Sequence, residues 1–278
     1  MTQFILPTLF ATFLWWFSTG AIFFLDGLPK RTFKWSLLGA GAVTIAAFYF
    51  LHKSAQDVSA HGAYVAFTCG LLIWGWQEIS FYMGFLTGPR RHECEEGCRG
   101  WRHFGHALLV SLHHELSILV CGAIVLALTW DAPNQLGLWT YLTLFFMHQS
   151  ARLNVFLGVR NLNAEFLPPH LTYLRSFMKQ APINLLFPIS VTAGTAALAW
   201  FVQRAVAADP SSFEATAFSF LSALLALAVL EHWVLILPIP FQKLWSWSLK
   251  SRRITRLSPT EGLVATLAVV KSFSIKRM

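Results

Sequence analysis

Long apolar stretches recur along the whole chain and are separated by short polar connections. An α-helix needs roughly 20 apolar residues to cross a bilayer, because the hydrocarbon core is about 30 Å thick. Every backbone polar group in that core must be satisfied internally, so an open sheet is excluded. The pattern predicts an all-α, polytopic bundle of transmembrane helices. We predict about seven spans, at residues 4–25, 34–51, 62–87, 104–130, 136–157, 182–206 and 213–237.

Composition favours a membrane protein over a soluble one. Hydrophobic residues make up 55% of the 278 positions and charged residues only 12%, which is about half the charged fraction of a soluble domain. The net charge of +8 could indicate a nucleic-acid partner, but the basic residues lie between the apolar stretches rather than on one face. We therefore expect membrane lipid around the chain and no nucleic-acid partner.

The basic residues are distributed unequally between the two sides of the predicted bundle. Of the 21 lysines and arginines, 19 lie on the side that holds the C-terminal tail, and only Lys53 and Arg204 lie on the other side. Because basic residues concentrate on the cytoplasmic side, we predict a periplasmic N-terminus and a cytoplasmic C-terminus. The predicted domains are a seven-span helical domain, residues 1–237, and a basic cytoplasmic tail at the membrane surface, residues 238–278.

Four of the predicted spans carry ionisable residues, which are costly in a membrane and are functional candidates for that reason. Counted at about 1.5 Å per residue from the span ends, all of them lie roughly 10–20 Å inside the cytoplasmic face. They therefore share one layer, although they belong to spans three, four, five and seven. The members of this layer are Glu78, His113, His114, Glu115, His148, Glu231 and His232.

Three interpretations of this layer are open. Carboxylates and neutral imidazoles suit iron, manganese or zinc, so all seven residues are candidate metal ligands, although His113 and Glu115 lie about 200° apart on a helix. The same groups could instead only hydrogen-bond neighbouring helices. They could also ligate bacteriochlorophyll or haem. His232 is the best candidate for a pigment, because the small residue Ala228 lies one turn before it.

Two features lie at the edge of this layer. Arg152, one turn after His148, could bind an anionic group of a cofactor or substrate, or it could extend to the cytoplasmic surface. The connection 158–177 is the longest polar one, and its Pro-Pro-His turn favours an ordered cap over a linker. We expect this cap to cover the cytoplasmic mouth of the layer.

Two of the four cysteines lie in the connection after span three. Cys94-x3-Cys98 and the following His103-x2-His106 have the residue types of a zinc site. The spacing is unusual, and an exposed polar loop is the alternative. Because this connection is predicted to face the reducing cytoplasm, we expect no disulfide there.

Four stretches of the chain, WQEISFYMGFLTGPRR, HHEL, FFMHQSARLNVFLGVRNLN and LEHW, resemble the PuhE family of photosynthetic complex assembly proteins from purple phototrophic bacteria. The resemblance extends from the first span to the tail. It implies a multi-pass protein of the bacterial inner membrane, cytoplasmic or intracytoplasmic. The family brings no established catalytic residues, so the ionisable layer rests on the residues alone.

The resemblance and the layer together leave two functions open. The first is a membrane factor for assembly of the photosynthetic reaction centre or light-harvesting complex, or for bacteriochlorophyll supply. Its partners would be reaction-centre or light-harvesting subunits, or pigment-synthesis enzymes. The alternative is an intramembrane metalloenzyme, a di-iron-like oxidoreductase with a His/Glu metal site that acts on a pigment precursor. No span has the Glu-x-x-His pair of ferritin-like di-iron bundles.

Overall fold

The computed structural model describes residues 2–252, and this part of the chain is helical apart from its connections. Helices α1, α2 and α3 comprise Thr2–Asp26, Phe33–Ser54 and Ala60–Tyr82. Helices α4, α5 and α6 comprise Gly100–Leu109, Leu112–Leu128 and Leu136–Leu157. Helices α7 and α8 comprise Leu186–Ala207 and Phe213–Val234. Short 3₁₀ helices lie at Lys30–Thr32, Ala164–Phe166, Pro169–Phe177 and Phe241–Trp245.

Helical structure lies at each of the seven predicted spans, and α1, α2, α7 and α8 are each long and apolar enough to cross a membrane. The bent pair α4 and α5 adds a fifth if it forms one span. α3 and α6 have the length but are less apolar, because they carry polar residues such as Gln77 and Gln149. The structure thus describes a membrane protein with four to five such helices. The count of seven and the orientation stay predictions.

α3 and α8 form the centre of the bundle. α3 contacts α1, α2, α5, α6 and α8, and α8 also contacts α1, α6 and α7. Large apolar side chains on the outer helices point away from this centre: Leu9 on α1, Ile45 on α2 and Ile189 on α7 are 60%, 72% and 64% exposed. Water-soluble monomers rarely expose wide apolar surfaces of this kind, whereas lipid covers them.

Small residues let α3 and α6 approach each other closely. A Cβ on Gly70 would lie 2.7 Å from the Gly137 carbonyl oxygen and 3.1 Å from Thr140 Cβ, so no larger residue fits at this contact. From here the two helices run in the same direction. Glu78 lies eight residues after Gly70, and His148 lies eight residues after Thr140. The contact therefore sets the depth at which these two side chains meet.

The prediction of one continuous helix over residues 104–130 is wrong. The chain bends by 62° between the end of α4 at Leu109 and the start of α5 at Leu112. The stretch His-His-Glu therefore lies in the first turn of a new helix, α5. Broken helices occur at membrane depth where the freed backbone is buried in protein or lines a cavity.

The segment that follows α3 packs against this break. A Cβ on Gly88 would lie 2.7 Å from the Val110 carbonyl carbon, so the chain after α3 is in backbone contact with the bend. The His114 N–H donates to the Thr87 carbonyl oxygen at 3.1 Å. Thr87 thus satisfies an N–H group that the start of a helix leaves without an intrahelical partner.

The first part of the predicted tail packs against α1. The Trp245 indole N–H donates to the Trp16 carbonyl oxygen at 2.8 Å. The Arg252 guanidinium contacts both carboxylate oxygens of Asp26 at 2.8 Å. Residues 238–252 therefore belong to the packed structure, and the rest of the predicted tail, 253–278, lies outside the described residues.

Candidate metal centre between helices α3, α5 and α6

Three of the predicted ligands converge inside the helix bundle. Glu78 on α3, His114 on α5 and His148 on α6 each offer one donor atom, and these atoms lie within 4.8 Å of one another. His114 is buried and the other two are partly buried. A metal ion bound at about 2.0–2.2 Å requires donor atoms roughly 3–3.5 Å apart. Small side-chain movements would bring these three residues, which we call the bundle cluster, into coordination distance.

The bundle cluster has buried polar atoms with no hydrogen-bond partner among the described residues. These atoms are Glu78 Oε1, His114 Nδ1 and His148 Nε2. His148 Nδ1 lies 3.6 Å from Glu78 Oε1, which is too long for a hydrogen bond. An unpaired buried polar group costs about 1–3 kcal/mol, and native proteins rarely leave one. One such atom on each of three converging residues is best explained by a role in binding a ligand.

Aromatic side chains hold the two imidazoles in place. Trp74 packs at an angle of 72° against His148, with ring centroids 5.3 Å apart. Phe81 packs against His114 with ring centroids 4.6 Å apart. The two imidazoles themselves lie 5.8 Å apart. Packing of this kind fixes ring orientation before a ligand binds, which reduces the entropy cost of binding.

Glu115 lies beside the bundle cluster, but its charge is already paired. Arg152 forms an ion pair with Glu115 and donates to the Ser111 hydroxyl at 2.6 Å. The Gln149 amide donates to the second carboxylate oxygen of Glu115. The position of Glu115 in the first turn of α5 also stabilises its negative charge. Arg152 therefore points into the bundle rather than to the membrane surface, and its charge is balanced there.

The remaining candidate ligands lie outside the bundle cluster. His113 is exposed. His232 is buried with both ring nitrogens satisfied, because Nδ1 donates to the Ala228 carbonyl oxygen at 2.8 Å and Nε2 accepts from the Ser150 hydroxyl at 2.9 Å. Ala228 thus supplies a hydrogen-bond acceptor to His232. Glu231 is partly buried and faces a neighbouring cavity.

Two cavities of about 330 and 320 Å³ meet at the bundle cluster. Glu78 and His148 line both of them. The first also contains His114 and Arg152, and the second contains Glu231. Cavities of this size accept small molecules. A metal ion on the bundle cluster would therefore be accessible to a ligand from either side.

The connection 158–177 lies over both cavities, as expected for a cap. Leu167 lines the first cavity and Phe166 lines the second. The His170 Nε2 donates to the Tyr82 carbonyl oxygen at 2.8 Å, which attaches the cap to the end of α3. Burial lowers the pKa of His170 below its ordinary value, and the hydrogen bond to the Tyr82 carbonyl oxygen offsets part of this shift.

Several polar residues around the site were not predicted as functional. Ser111 and Gln149 hold the Glu115–Arg152 pair, and Ser150 holds His232. The sequence did contain a signal for two of them, because the polar run from His148 to Arg152 interrupts an otherwise apolar span. Polar side chains that follow one another in a span point to several sides of the helix, so their partners depend on the packing of all neighbours.

The model of a family described as "Protein of unknown function (DUF3623)" matches residues 1–256 of this chain. The chain belongs to this family. A relative in Rhodobacter capsulatus, described as "Uncharacterized 30.4 kDa protein in puhA 5'region", is 38% identical over 250 residues. The match covers 88% of this chain and 91% of the relative. No solved structure matches the chain significantly.

Proposed function

We propose that this protein is a membrane factor for assembly of the photosynthetic apparatus or for its pigment supply, and that it works through a transition-metal site. The observation that carries the metal site is the convergence of three residues with buried, unpaired polar atoms, Glu78, His114 and His148. The link with photosynthesis is supported by the resemblance to the PuhE family. The location of the relative in the puhA 5' region is a second hint in the same direction.

The donor set of the bundle cluster favours iron(II). Two imidazoles and one carboxylate bind the metal in many non-haem iron oxygenases and leave other coordination positions open. The same set binds zinc in metalloproteases such as thermolysin. Glu78 contributes a single negative charge, so a divalent ion would retain a net positive charge and attract an oxygen donor. From the donor set and its open coordination positions we expect iron, with zinc and manganese as the alternatives that metal analysis distinguishes.

The first cavity indicates the kind of molecule that would meet this metal. Its walls include the apolar side chains Phe104, Leu108 and Phe156, and its polar groups gather near the metal ligands. The Arg152 guanidinium is paired with Glu115, so this cavity does not offer a free positive charge to an anionic group of the bound molecule. This arrangement suits a largely apolar molecule with one oxygen or nitrogen donor, as a pigment or pigment precursor would present.

A metalloenzyme that acts on a pigment precursor is the second candidate function. The observation that favours it is the position of the bundle cluster, because Glu78 and His148 line two cavities. A purely structural metal site has all its positions filled by protein side chains, whereas a catalytic site keeps one open. All three ligands border a cavity, and two of them border both cavities, which agrees with a catalytic site that keeps one position open.

A complementation experiment tests the proposed function. The gene is deleted in a purple phototroph that carries it, and the strain receives wild type, Glu78→Gln, His114→Gln or the control His113→Gln. We expect wild type and His113→Gln to restore reaction-centre and light-harvesting absorption. Glu78→Gln and His114→Gln should fail to do so while the variants still accumulate in the membrane, because each removes one ligand.

The pigment content of the deletion strain separates the two candidate functions. A factor for assembly or supply predicts fewer complexes with chemically normal pigment. An enzyme predicts an accumulated precursor with a different absorption spectrum. Unchanged absorption in the deletion strain would contradict a role in photosynthesis, and full restoration by both Glu78→Gln and His114→Gln would contradict the bundle cluster as the working site.

A further inference from the structure

A second group of metal-binding side chains lies in the connection between α3 and α4. Cys94, Cys98 and His106 offer donor atoms that lie within 4.8 Å of one another. His106 Nδ1 is 3.6 Å from Cys94 Sγ and 3.5 Å from Cys98 Sγ. His103 Nδ1 lies 3.2 Å from Cys94 Sγ. We call Cys94, Cys98 and His106 the loop cluster.

The distances within the loop cluster match tetrahedral zinc coordination. Zinc binds Cys sulfur at about 2.3 Å and His nitrogen at about 2.0–2.1 Å. At a tetrahedral angle, such a sulfur and nitrogen lie about 3.6 Å apart. The two distances from His106 Nδ1, 3.6 and 3.5 Å, agree with this value. The His106 nitrogen is therefore already at coordination spacing from both sulfurs, and the two sulfurs lie within 4.8 Å of each other.

The local sequence explains why these side chains meet. Gly97 and Gly100 adopt φ angles of +77° and +60°, which glycine populates without a Cβ clash. They let the chain turn from the cysteines into α4. His103 and His106 lie three residues apart near the start of α4, so they face the same side of the helix. The loop cluster is thus formed within 13 residues, 94–106.

We propose that Cys94, Cys98 and His106 bind a zinc ion and that His103 positions Cys94 by donating its Nδ1–H to the sulfur. All three ligand residues are partly exposed, so water can complete the tetrahedron. This site is separate from the bundle cluster and does not rest on the proposed function.

The zinc would connect the loop to the wall of the first cavity. The Cys94 N–H donates to the Ser176 hydroxyl at 2.9 Å. The His103 ring stacks between Phe156 and Phe177, with centroid distances of 5.4 and 5.5 Å. Both of these aromatic residues line the first cavity. A metal that fixes Cys94 and α4 would therefore stabilise the positions of the cap and of α6 relative to α4.

Metal analysis of the full-length protein, purified in detergent and equilibrated with zinc, tests this proposal. We expect one equivalent of zinc at the loop cluster. Cys98→Ser and His106→Asn should lose it, whereas His92→Gln, a change at an exposed histidine of the same connection, should retain it. His103→Gln should still bind zinc but about 10–100-fold more weakly, as expected for loss of a hydrogen bond to a metal ligand.

Two further measurements keep the test independent of how well a variant folds. Cobalt(II) in the wild-type protein should give the intense visible absorption of a tetrahedral thiolate site. Glu78→Gln should remove the metal of the bundle cluster and leave the zinc, so that failure of one site is not mistaken for failure of the other. Zinc that is unchanged in both Cys98→Ser and His106→Asn would overturn the proposal. So would a Cys94–Cys98 disulfide in the protein isolated from cells.

Discussion

The two clusters of this protein are built in opposite ways. The bundle cluster collects one residue from each of three helices, and each of them has a buried polar atom without a hydrogen-bond partner among the described residues. The loop cluster comes from a single 13-residue segment, and its sulfur and nitrogen atoms contact one another. The first therefore depends on how the helices pack, whereas the second depends mainly on the local backbone. Changes that disturb one cluster should spare the other.

The largest expected difference between the clusters is their accessibility from water. After zinc is removed, a membrane-impermeant thiol reagent should label Cys94 and Cys98 in inside-out vesicles and leave them unlabelled in intact spheroplasts. The reason is the predicted cytoplasmic location of this connection. Cys69, which is buried in the core, should stay unlabelled in both. Labelling of Cys94 and Cys98 from the periplasmic side would contradict the predicted orientation.

Gly70→Ala should affect the bundle cluster and not the loop cluster, because it disturbs helix packing. The added Cβ would lie 2.7 Å from the Gly137 carbonyl oxygen, and overpacking of this kind costs about 1–3 kcal/mol. We expect a lower melting temperature in detergent and loss of most metal from the bundle cluster, with zinc retained at the loop cluster. Gly75→Ala is the matched control, because a Cβ at Gly75 has open space around it. Equal behaviour of the two variants would contradict the role of the α3–α6 contact.

Glu115→Gln should weaken the bundle cluster without removing a ligand. The substitution leaves the Arg152 charge without the carboxylate that balances it, and an unbalanced buried charge is costly. Arg152 would then be attracted to Glu78 and compete with the metal. We expect metal affinity to fall about tenfold, equivalent to about 1.4 kcal/mol. The double variant Glu115→Gln/Arg152→Gln should recover most of it, and a single variant with unchanged affinity would disprove this competition.

The smallest expected effect belongs to Ser176→Ala. This change removes the hydroxyl that accepts the Cys94 N–H, and one such hydrogen bond contributes about 0.5–1.5 kcal/mol. Zinc affinity of the loop cluster should fall by a few-fold in a titration with a competing chelator. Metal in the bundle cluster should be unaffected. A larger loss from the bundle cluster than from the loop cluster would contradict the assignment of Ser176.

The sequence could predict that residues of different helices meet at one level of the bundle, but it could not predict the rotation of each helix. Counting residues from the span ends put Glu78, His114 and His148 in one layer, and the structure brings these three together. The same count could not distinguish His113 from its neighbour His114. Their side chains lie about 100° apart on a helix, and only the packing of α5 decides which of them faces inward.

The pairing of polar groups also depended on contacts that no spacing reveals. At the break before α5, the backbone contacts Gly88 and the His114 N–H donates to the Thr87 carbonyl oxygen, and both of these residues follow α3. Glu115 is satisfied by α6 through Arg152. His232 could be assigned only once Ser150 was placed beside it. The loop cluster could be predicted more fully from the sequence, because glycine turns and a three-residue histidine spacing are local features.

The central claim is that Glu78, His114 and His148 bind a transition metal. The most direct measurement is the iron, manganese and zinc content of protein purified from its native membrane, compared between His114→Gln and the adjacent control His113→Gln. We predict one equivalent of metal at the bundle cluster in wild type and in His113→Gln, and none there in His114→Gln. Equal metal content in His113→Gln and His114→Gln, or a wild-type protein whose only metal is the zinc lost in Cys98→Ser, would contradict the claim.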